Sequence, residues 1–184
     1  MSQPTPTALV IVFDGIEEIE ALTPVDILRR AEIDVTVASV DGNSQVKGRN
    51  DITFAADTSL SLVAENEFDL VLLPGGPGVL KQLDNSELAA ALKAQDKRGG
   101  LLAAICAAPK LLANCGLLNN RSATSHASVR DDLPIASEEP VVQDGHIITS
   151  QGVGTAVEFS LALVGRMKSK ELADKIAASI HYQS

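Results

Sequence analysis

A chain of 184 residues, 45% of them hydrophobic, is long and apolar enough to bury a sizeable core, and we expect one domain over residues 1–184. Aromatic residues make up only 3% and Trp is absent, so that core must be built from aliphatic side chains. The formal net charge of −9, without any cluster of Lys and Arg, argues against nucleic-acid binding and against attachment to anionic membranes.

The first apolar run, residues 8–13, is only six residues long and no basic segment precedes it. Such a run is too short for a membrane span or for the apolar part of a signal peptide. The two cysteines, Cys106 and Cys115, form no CxxC pair, so a disulfide framework is not expected and a reducing compartment fits. We therefore expect a cytoplasmic protein.

Apolar runs and helical patterns alternate along the chain. Continuous apolar runs predict strands that are buried on both faces, at residues 8–13, 34–40, 68–73 and 101–105. Helical patterns follow at residues 16–31, 86–97 (with Ser86 as N-cap), 154–167 and 169–180. This alternation predicts right-handed crossovers and an α/β fold with a doubly wound, mostly parallel sheet sandwiched by helices.

Two antiparallel additions are expected, a small excursion over residues 45–56 and a hairpin over residues 140–150, where Asp144-Gly145 separates two apolar runs. In open α/β sheets a ligand binds beyond the carboxyl ends of the strands. That rule points to the loops at residues 14–15, 74–78 and 106–109.

Cys106 directly follows a predicted strand and precedes Ala107-Ala108-Pro109, which suits the first turn of a helix. This is the arrangement of a nucleophile elbow, with cysteine where hydrolases use serine. The start of the helix would favour the thiolate, which predicts a lowered pKa. The alternative is a buried, inert cysteine, and that is the reading we prefer for Cys115.

The loop Pro74-Gly75-Gly76-Pro77-Gly78 also follows a strand. Its glycines allow backbone N–H groups to turn towards an anion or an oxyanion, although an ordinary turn explains them too. No Gly-Lys-Ser/Thr follows the loop, and no GxGxxG opens a helix after the first strand. The sequence therefore supports neither a nucleotide-phosphate loop nor a dinucleotide site, and no residues have metal-ligand spacing.

Two further side chains are candidates for proton transfer. His126 lies in a segment of small and polar residues and could pair with the cysteine, or be a surface histidine. Glu20 lies four residues before Pro24, on the apolar side of the first helix, so partial burial is expected. A buried carboxyl should be protonated or paired, so we expect Glu20 to be neutral at pH 7 and hydrogen-bonded to the sulfur. The alternative is an ordinary carboxylate at a helix start.

Four segments, GIEEIEALTPVDILRRA at 15–31, LPGGPG at 73–78, AAICAAP at 103–109 and SQGVGTAVEF at 150–159, occur in this order. Together they resemble the ThiJ/PfpI superfamily, in particular the branch of the parkinsonism-associated protein deglycase and its bacterial homologues. The resemblance implies a flavodoxin-like fold and a homodimer whose interface contains the first helix and the excursion at Gly48-Arg49.

For the site, the resemblance implies Cys106 as nucleophile, Glu20 as the acid beside it and His126 as the nearby histidine. Gly76 and Ala107 match the backbone donors of the oxyanion site, and we add Gly75 to this substrate-binding loop. The implied activities are cofactor-free: a glyoxalase III-type lyase (D-lactate dehydratase) that acts on methylglyoxal or glyoxal, or a deglycase that acts on early glycation adducts of proteins or nucleotides.

Some positions depart from the family pattern. Ala108 replaces a glycine, Val153 replaces a proline, and Ala107 stands where the peptidase branch has histidine, which argues against a peptidase. The alternative from another functional class is a redox-sensing chaperone or stress protein in which oxidation of Cys106, and not turnover, is the function.

Overall fold

The protein was analysed as a computed structural model that describes residues 4–183. The strands are β1 (Thr7–Val12), β2 (Asp34–Ser39), β3 (Gln45–Lys47), β4 (Thr53–Ala55), β5 (Thr58–Ser59), β6 (Leu70–Leu73), β7 (Leu101–Ile105), β8 (Ser122–Ala123), β9 (Ile135–Ala136), β10 (Val141–Asp144) and β11 (Ile147–Ser150). The α-helices are α1 (Glu18–Arg30), α2 (Leu60–Val63), α3 (Ser86–Lys97), α4 (Pro109–Asn114), α5 (Ala156–Met167) and α6 (Lys170–Ser179). Short 3₁₀ segments cover Pro77–Gln82, Ala127–Asp132 and Val153–Thr155.

A sheet of seven strands forms the centre of the molecule, in the order β10-β11-β7-β6-β1-β2-β5. All neighbours are parallel except β10, which runs antiparallel to β11. The five main parallel strands, β1, β2, β6, β7 and β11, follow the flavodoxin-like order 2-1-3-4-5. The predicted fold class is therefore confirmed.

The helices cover both faces of this sheet. The crossover from β1 to β2 runs towards one edge and that from β6 to β7 towards the other, so right-handed crossovers place α1 and α3 on opposite faces. α1 packs on α5, which packs on α6, whereas α3 and α4 pack on β7. Every residue of β6 and β7 is buried, which explains why these strands are continuous apolar runs.

Both predicted antiparallel additions are present. β3 and β4 pair antiparallel, with Gln45 opposite Ala55, and the loop between them is held by the buried carboxylate of Glu18. The backbone N–H of Asn50 donates to Glu18 Oε1 at 2.7 Å, and the Asn50 side-chain amide donates to Oε2 at 3.0 Å. These bonds attach the excursion to the start of α1, beside the carboxyl end of β1.

Several details differ from the sequence prediction. The N-cap of α3 is Asn85, whose side chain accepts from the Leu88 N–H at 3.0 Å, so the prediction of Ser86 as N-cap was wrong by one residue. The elements β5, α2 and β9 are four residues long or shorter and were not predicted, because such lengths show no periodicity. β8 is the short strand expected before the segment of His126. Within residues 4–183, the helices are too short or too polar to cross a lipid bilayer.

Candidate active site

Three of the loops that follow parallel strands meet at one cavity, beyond the carboxyl ends of β1, β6 and β7. Cys106, Glu20 and His126 line this cavity of about 430 Å³, together with Gly76 and Ala107. The position is the one that the topology favours for ligands, next to the point where the strand order reverses between β1 and β6. The structure thus brings together five of the six residues that the sequence singled out.

A larger cavity, of about 660 Å³, lies at the opposite edge of the sheet, beside Thr7, Leu101 and His146 at the amino ends of β1, β7 and β11. Open α/β sheets bind ligands at the carboxyl edge, and the larger cavity contains neither cysteine. The smaller cavity is therefore the candidate active site, because it contains the candidate nucleophile and both candidates for proton transfer.

Cys106 occupies a sharp turn between β7 and α4. Its φ is +65°, a left-handed conformation that is uncommon for a residue with a side chain. Two backbone hydrogen bonds hold it there, from the Cys106 N–H to Ser150 O at 2.9 Å and from the His126 N–H to Cys106 O at 2.8 Å. Strained backbone of this kind concentrates at functional sites, so the geometry favours the nucleophile elbow over an inert cysteine.

The backbone N–H groups of Gly76 and Ala107 lower the pKa of the Cys106 thiol. Gly76 has φ +103°, and a Cβ at this position would lie 2.5 Å from Glu17 N and from Gly15 O. No larger residue fits there without a shift of the backbone. Gly76 and Ala107 are therefore the candidate donors to a negative charge on or next to the sulfur.

Glu20 is fully buried behind the cysteine, as its place on the apolar side of α1 predicted. Its Oε2 accepts from the Gly75 N–H at 3.1 Å, whereas Oε1 has no well-formed hydrogen bond within the described residues. Burial, assisted by the charge of Glu17, raises the pKa of Glu20 to about 7, so at pH 7 the carboxyl is about half protonated, whereas the sequence predicted a neutral group. The Cys106 thiol interacts with this carboxyl, yet the expected bond from Glu20 to the sulfur is not well formed here.

Gly75 plays a different part from the one that the sequence suggested. Its N–H is used by Glu20, and Gly75 does not line the cavity. A Cβ on Gly75 would lie 2.6 Å from both Cys106 Cβ and Glu20 Oε2. The absence of a side chain at Gly75 therefore allows the acid and the thiol to approach each other, and its N–H positions the acid.

The expected direction of the Cys106 pKa was wrong. Burial, together with the charge of the Glu20 carboxylate, raises the pKa of the thiol to about 12, and the N–H groups of Gly76 and Ala107 only partly oppose this. α4 has only six residues, so its amino end is a weak source of positive potential. A proton on Glu20 removes the negative charge beside the sulfur and so lowers the pKa of the thiol, although burial still raises it.

His126 lies at the mouth of the cavity, at the start of the 3₁₀ segment Ala127–Asp132. Its Nδ1 accepts from the Ser128 N–H at 3.2 Å and lies 2.8 Å from Ser128 Oγ. Because the backbone N–H must donate, the neutral ring carries its hydrogen on Nε2. His126 can thus act as a hydrogen-bond donor through Nε2.

Sequence reasoning missed part of the lining. Arg49 and Glu17 form an ion pair at 3.4 Å in the wall of the cavity, with Glu17 buried. In the sequence, Glu17 has the ordinary explanation of a helix-start carboxylate, and nothing local to Arg49 indicates that the excursion brings it here. Leu80, which the sequence did not single out either, lines the cavity, as does Val153, one of the positions that depart from the family pattern. Cys115 does not, and burial raises the pKa of its thiol.

Comparisons with known proteins identify the family of the chain. Residues 6–166 match the DJ-1/PfpI family. The chain is 42% identical over 179 residues to protein dj-1beta of Drosophila melanogaster, and the match covers 95% of this chain and 96% of that protein. It is 34% identical over 164 residues to the glutathione-independent glyoxalase DJR-1.2 of Caenorhabditis elegans, with 87% of each chain covered.

The crystal structure of Drosophila melanogaster DJ-1beta has the same architecture. It matches this chain with a TM-score of 0.94 and 40% sequence identity, and the match covers 98% of this chain and 100% of that chain. The resemblance found in the four sequence segments is therefore confirmed over almost the whole length. The chain belongs to the DJ-1/PfpI family.

Proposed function

We propose that the protein is a cofactor-free glyoxalase that converts 2-oxoaldehydes into 2-hydroxy acids through a hemithioacetal on Cys106. One observation carries the proposal: a strained cysteine has its sulfur between two backbone N–H donors and a buried carboxyl with a raised pKa. The name of the Caenorhabditis elegans relative, a glutathione-independent glyoxalase, supports the same reaction class.

In the first step the Cys106 sulfur attacks the aldehyde carbon of the 2-oxoaldehyde. The thiol proton moves to Glu20, the C–S bond forms, and the aldehyde oxygen becomes an alkoxide next to the N–H groups of Gly76 and Ala107. Glu20 returns the proton to this oxygen, which completes the hemithioacetal. The unpartnered Oε1 of Glu20 is the atom available for this exchange.

In the second step the ionised Glu20 removes the proton from the former aldehyde carbon and gives an enediolate. His126 stabilises the adjacent oxygen through Nε2–H. Return of this proton to the neighbouring carbon, with transfer of the hydroxyl proton to the former ketone oxygen, turns the hemithioacetal into a thioester of a 2-hydroxy acid. Water hydrolyses the thioester and restores the thiol, so one water is consumed, and the aldehyde carbon is oxidised while the ketone carbon is reduced.

Incubation of the purified protein with methylglyoxal, with lactate measured directly, tests this proposal. We expect lactate to form in proportion to the methylglyoxal consumed. Loss of methylglyoxal without lactate would point to simple trapping of the aldehyde by protein side chains. A deglycase would act on early glycation adducts through the same hemithioacetal chemistry. It would release lactate from a preformed adduct of methylglyoxal and a thiol faster than that adduct dissociates without the protein.

The redox-sensing alternative rests on the same two N–H donors, because they would also stabilise the oxygens of an oxidised sulfur. We expect mild peroxide to convert Cys106 to sulfinic acid before Cys115 reacts. Cys106 opens into a cavity with donors for the anion, whereas Cys115 lies outside this cavity. Mass spectrometry of tryptic peptides after graded oxidation would reveal the reverse order if access and donors do not control the reaction.

Peroxide treatment also separates the two functions. A glyoxalase loses its activity in step with oxidation of Cys106, whereas a redox-activated chaperone gains the ability to suppress aggregation of a denatured client protein. A gain of this ability in a protein that never forms lactate would favour the chaperone.

We further propose that the chain forms a homodimer through α1 and the excursion at Gly48-Arg49. Ile19 and Leu22 on α1, and Ile52 in the excursion, are large apolar side chains that are 50%, 41% and 54% exposed. Exposed large apolar side chains on both segments favour association through them. Light scattering at micromolar concentration should give the mass of a dimer, and Ile19→Asp should give a monomer. A monomeric unmodified protein would refute the proposal. The matched control is Leu62→Asp, because Leu62 is 77% exposed on α2, outside the proposed interface, and this variant should remain a dimer.

A further inference from the structure

Two large apolar side chains, Leu80 and Val153, lie at the mouth of the Cys106 cavity, and we refer to them as the apolar rim. Leu80 is 56% exposed and Val153 is 42% exposed. Single exposed apolar residues need no explanation, but these two line the same cavity as the nucleophile. Pro77 and the buried Val129 contribute further apolar surface to the lining. A ligand that covers this surface would remove it from water.

The charged groups of the cavity disfavour an anionic ligand. The one arginine in the described lining, Arg49, is paired with Glu17 at 3.4 Å. His126 offers a hydrogen-bond donor through Nε2, and Glu20 adds negative charge whenever it ionises. The chain as a whole carries a formal charge of −9, which also repels anions.

The cavity is also larger than the smallest 2-oxoaldehydes require. Its volume of about 430 Å³ is in the range of roughly 300–1,000 Å³ that is typical of sites for drug-sized ligands. Glyoxal and methylglyoxal, with four and five non-hydrogen atoms, would leave most of it to water. A substrate with its two carbonyl carbons at Cys106 has room for a larger substituent against the rim.

We infer, as an extension that rests on the proposed function, that the site prefers neutral 2-oxoaldehydes with a branched apolar substituent. Leu80 and Val153 contact this substituent and determine the preference. 2-Oxoaldehydes that carry a phosphate or a carboxylate are disfavoured, because Arg49 is already paired with Glu17 and the lining contains the acidic Glu17 and Glu20.

The preference is tested with a series of glyoxal, methylglyoxal, isopropylglyoxal and a phosphate-bearing 2-oxoaldehyde. We expect kcat/KM to rise about 10-fold from methylglyoxal to isopropylglyoxal, the lower end of what an apolar pocket gains from added methyl groups. The phosphate-bearing compound should be at least about 10-fold poorer than methylglyoxal. A flat series, or a preference for the phosphate, would overturn the inference.

Variants assign the preference to the rim. In the double variant Leu80→Asn/Val153→Thr the side chains keep their approximate shapes but become polar, and the ratio of kcat/KM for isopropylglyoxal over methylglyoxal should fall to about one. Leu62→Asn is the control, since Leu62 is 77% exposed on α2 and outside the cavity, and it should keep the ratio of the unmodified protein. If the double variant also keeps that ratio, the rim does not determine the preference.

A second readout separates failure of this inference from failure of the proposed function. Each aldehyde is tested for protection of Cys106 against alkylation by iodoacetamide, which needs binding but no turnover. Protection that increases with the apolar substituent, without any 2-hydroxy acid, would refute the glyoxalase and leave the preference intact. If the protein forms 2-hydroxy acids but all neutral aldehydes protect Cys106 equally, the preference for apolar substituents is refuted and the glyoxalase activity is not.

Discussion

Replacing Cys106 with serine is expected to lower kcat for methylglyoxal by about 10³-fold or more, the order seen when catalytic nucleophiles are removed. A hydroxyl is a much weaker nucleophile than a thiol, and Glu20 is too weak a base to ionise it. The fold should survive, because serine is similar in size and the two backbone hydrogen bonds of residue 106 do not involve the side chain. Lactate formation and thermal unfolding are the two measurements.

Cys115→Ser is the matched control for this experiment. Cys115 is the other cysteine of the chain and lies outside the cavity, so its replacement should change kcat by less than a factor of about two. Normal activity of the Cys106 variant, or equal losses in both variants, would contradict covalent catalysis by Cys106.

Glu20→Gln is expected to lower turnover by about 10²–10⁴-fold, the usual contribution of general acid–base catalysis. The amide preserves the size of the side chain but cannot accept the thiol proton or remove the proton from the hemithioacetal. Removal of the neighbouring carboxylate takes away its negative charge, which is one of the causes that raise the Cys106 pKa. The variant should therefore react faster with iodoacetamide above neutral pH while it forms lactate more slowly.

The opposite changes in alkylation and turnover are what distinguish this role from a structural one. A distorted site would lose both reactivities together. Normal turnover in Glu20→Gln would mean that Glu20 is an ordinary helix-start carboxylate, and the proton transfers would have to be assigned elsewhere.

The same substitution should change how stability depends on pH. The pKa of Glu20 in the folded protein is about 7, above its ordinary value of 4.5, so the folded state binds this proton more tightly than the unfolded state. The stability that this proton contributes is complete below about pH 4.5 and is lost as the pH rises through about 7. At about 1.4 kcal/mol per pKa unit, Glu20→Gln should gain about 3 kcal/mol relative to the unmodified protein between pH 4 and pH 8.

Denaturant unfolding at both pH values measures this change. A difference between the two proteins that does not vary with pH would contradict the raised pKa of Glu20, whatever the effect on turnover. An acid that destabilises the fold at the pH where it is needed for catalysis is an example of a functional residue that works against stability.

The parts of the fold that could be predicted are those with a local signal. Strands such as β7 are continuous apolar runs because both of their faces are covered, and α3 has strong helix-forming residues over its whole length. Cys106 could be found because it stands where a strand ends and a proline soon follows, and Glu20 because helical periodicity places it on the apolar side of α1.

The parts that could not be predicted depend on tertiary contacts. Gly75 looked like a ligand-binding glycine, but the direction of its N–H, towards Glu20, is set by the packing of α1 against the loop after β6. The pair of Arg49 and Glu17 joins segments more than 30 residues apart through the β3–β4 excursion. The direction of the Cys106 pKa follows from its burial beside an acid, and no local pattern gives that burial.

Conversion of methylglyoxal labelled with carbon-13 at the aldehyde, followed by NMR, tests covalent glyoxalase catalysis most directly. The label should appear in the carboxyl carbon of lactate with the unmodified protein and with Cys115→Ser, and remain in hydrated methylglyoxal with Cys106→Ser. Absence of labelled lactate with the unmodified, reduced protein would contradict the proposed reaction. Labelled lactate formed equally fast by the Cys106 variant would contradict the role of the thiol.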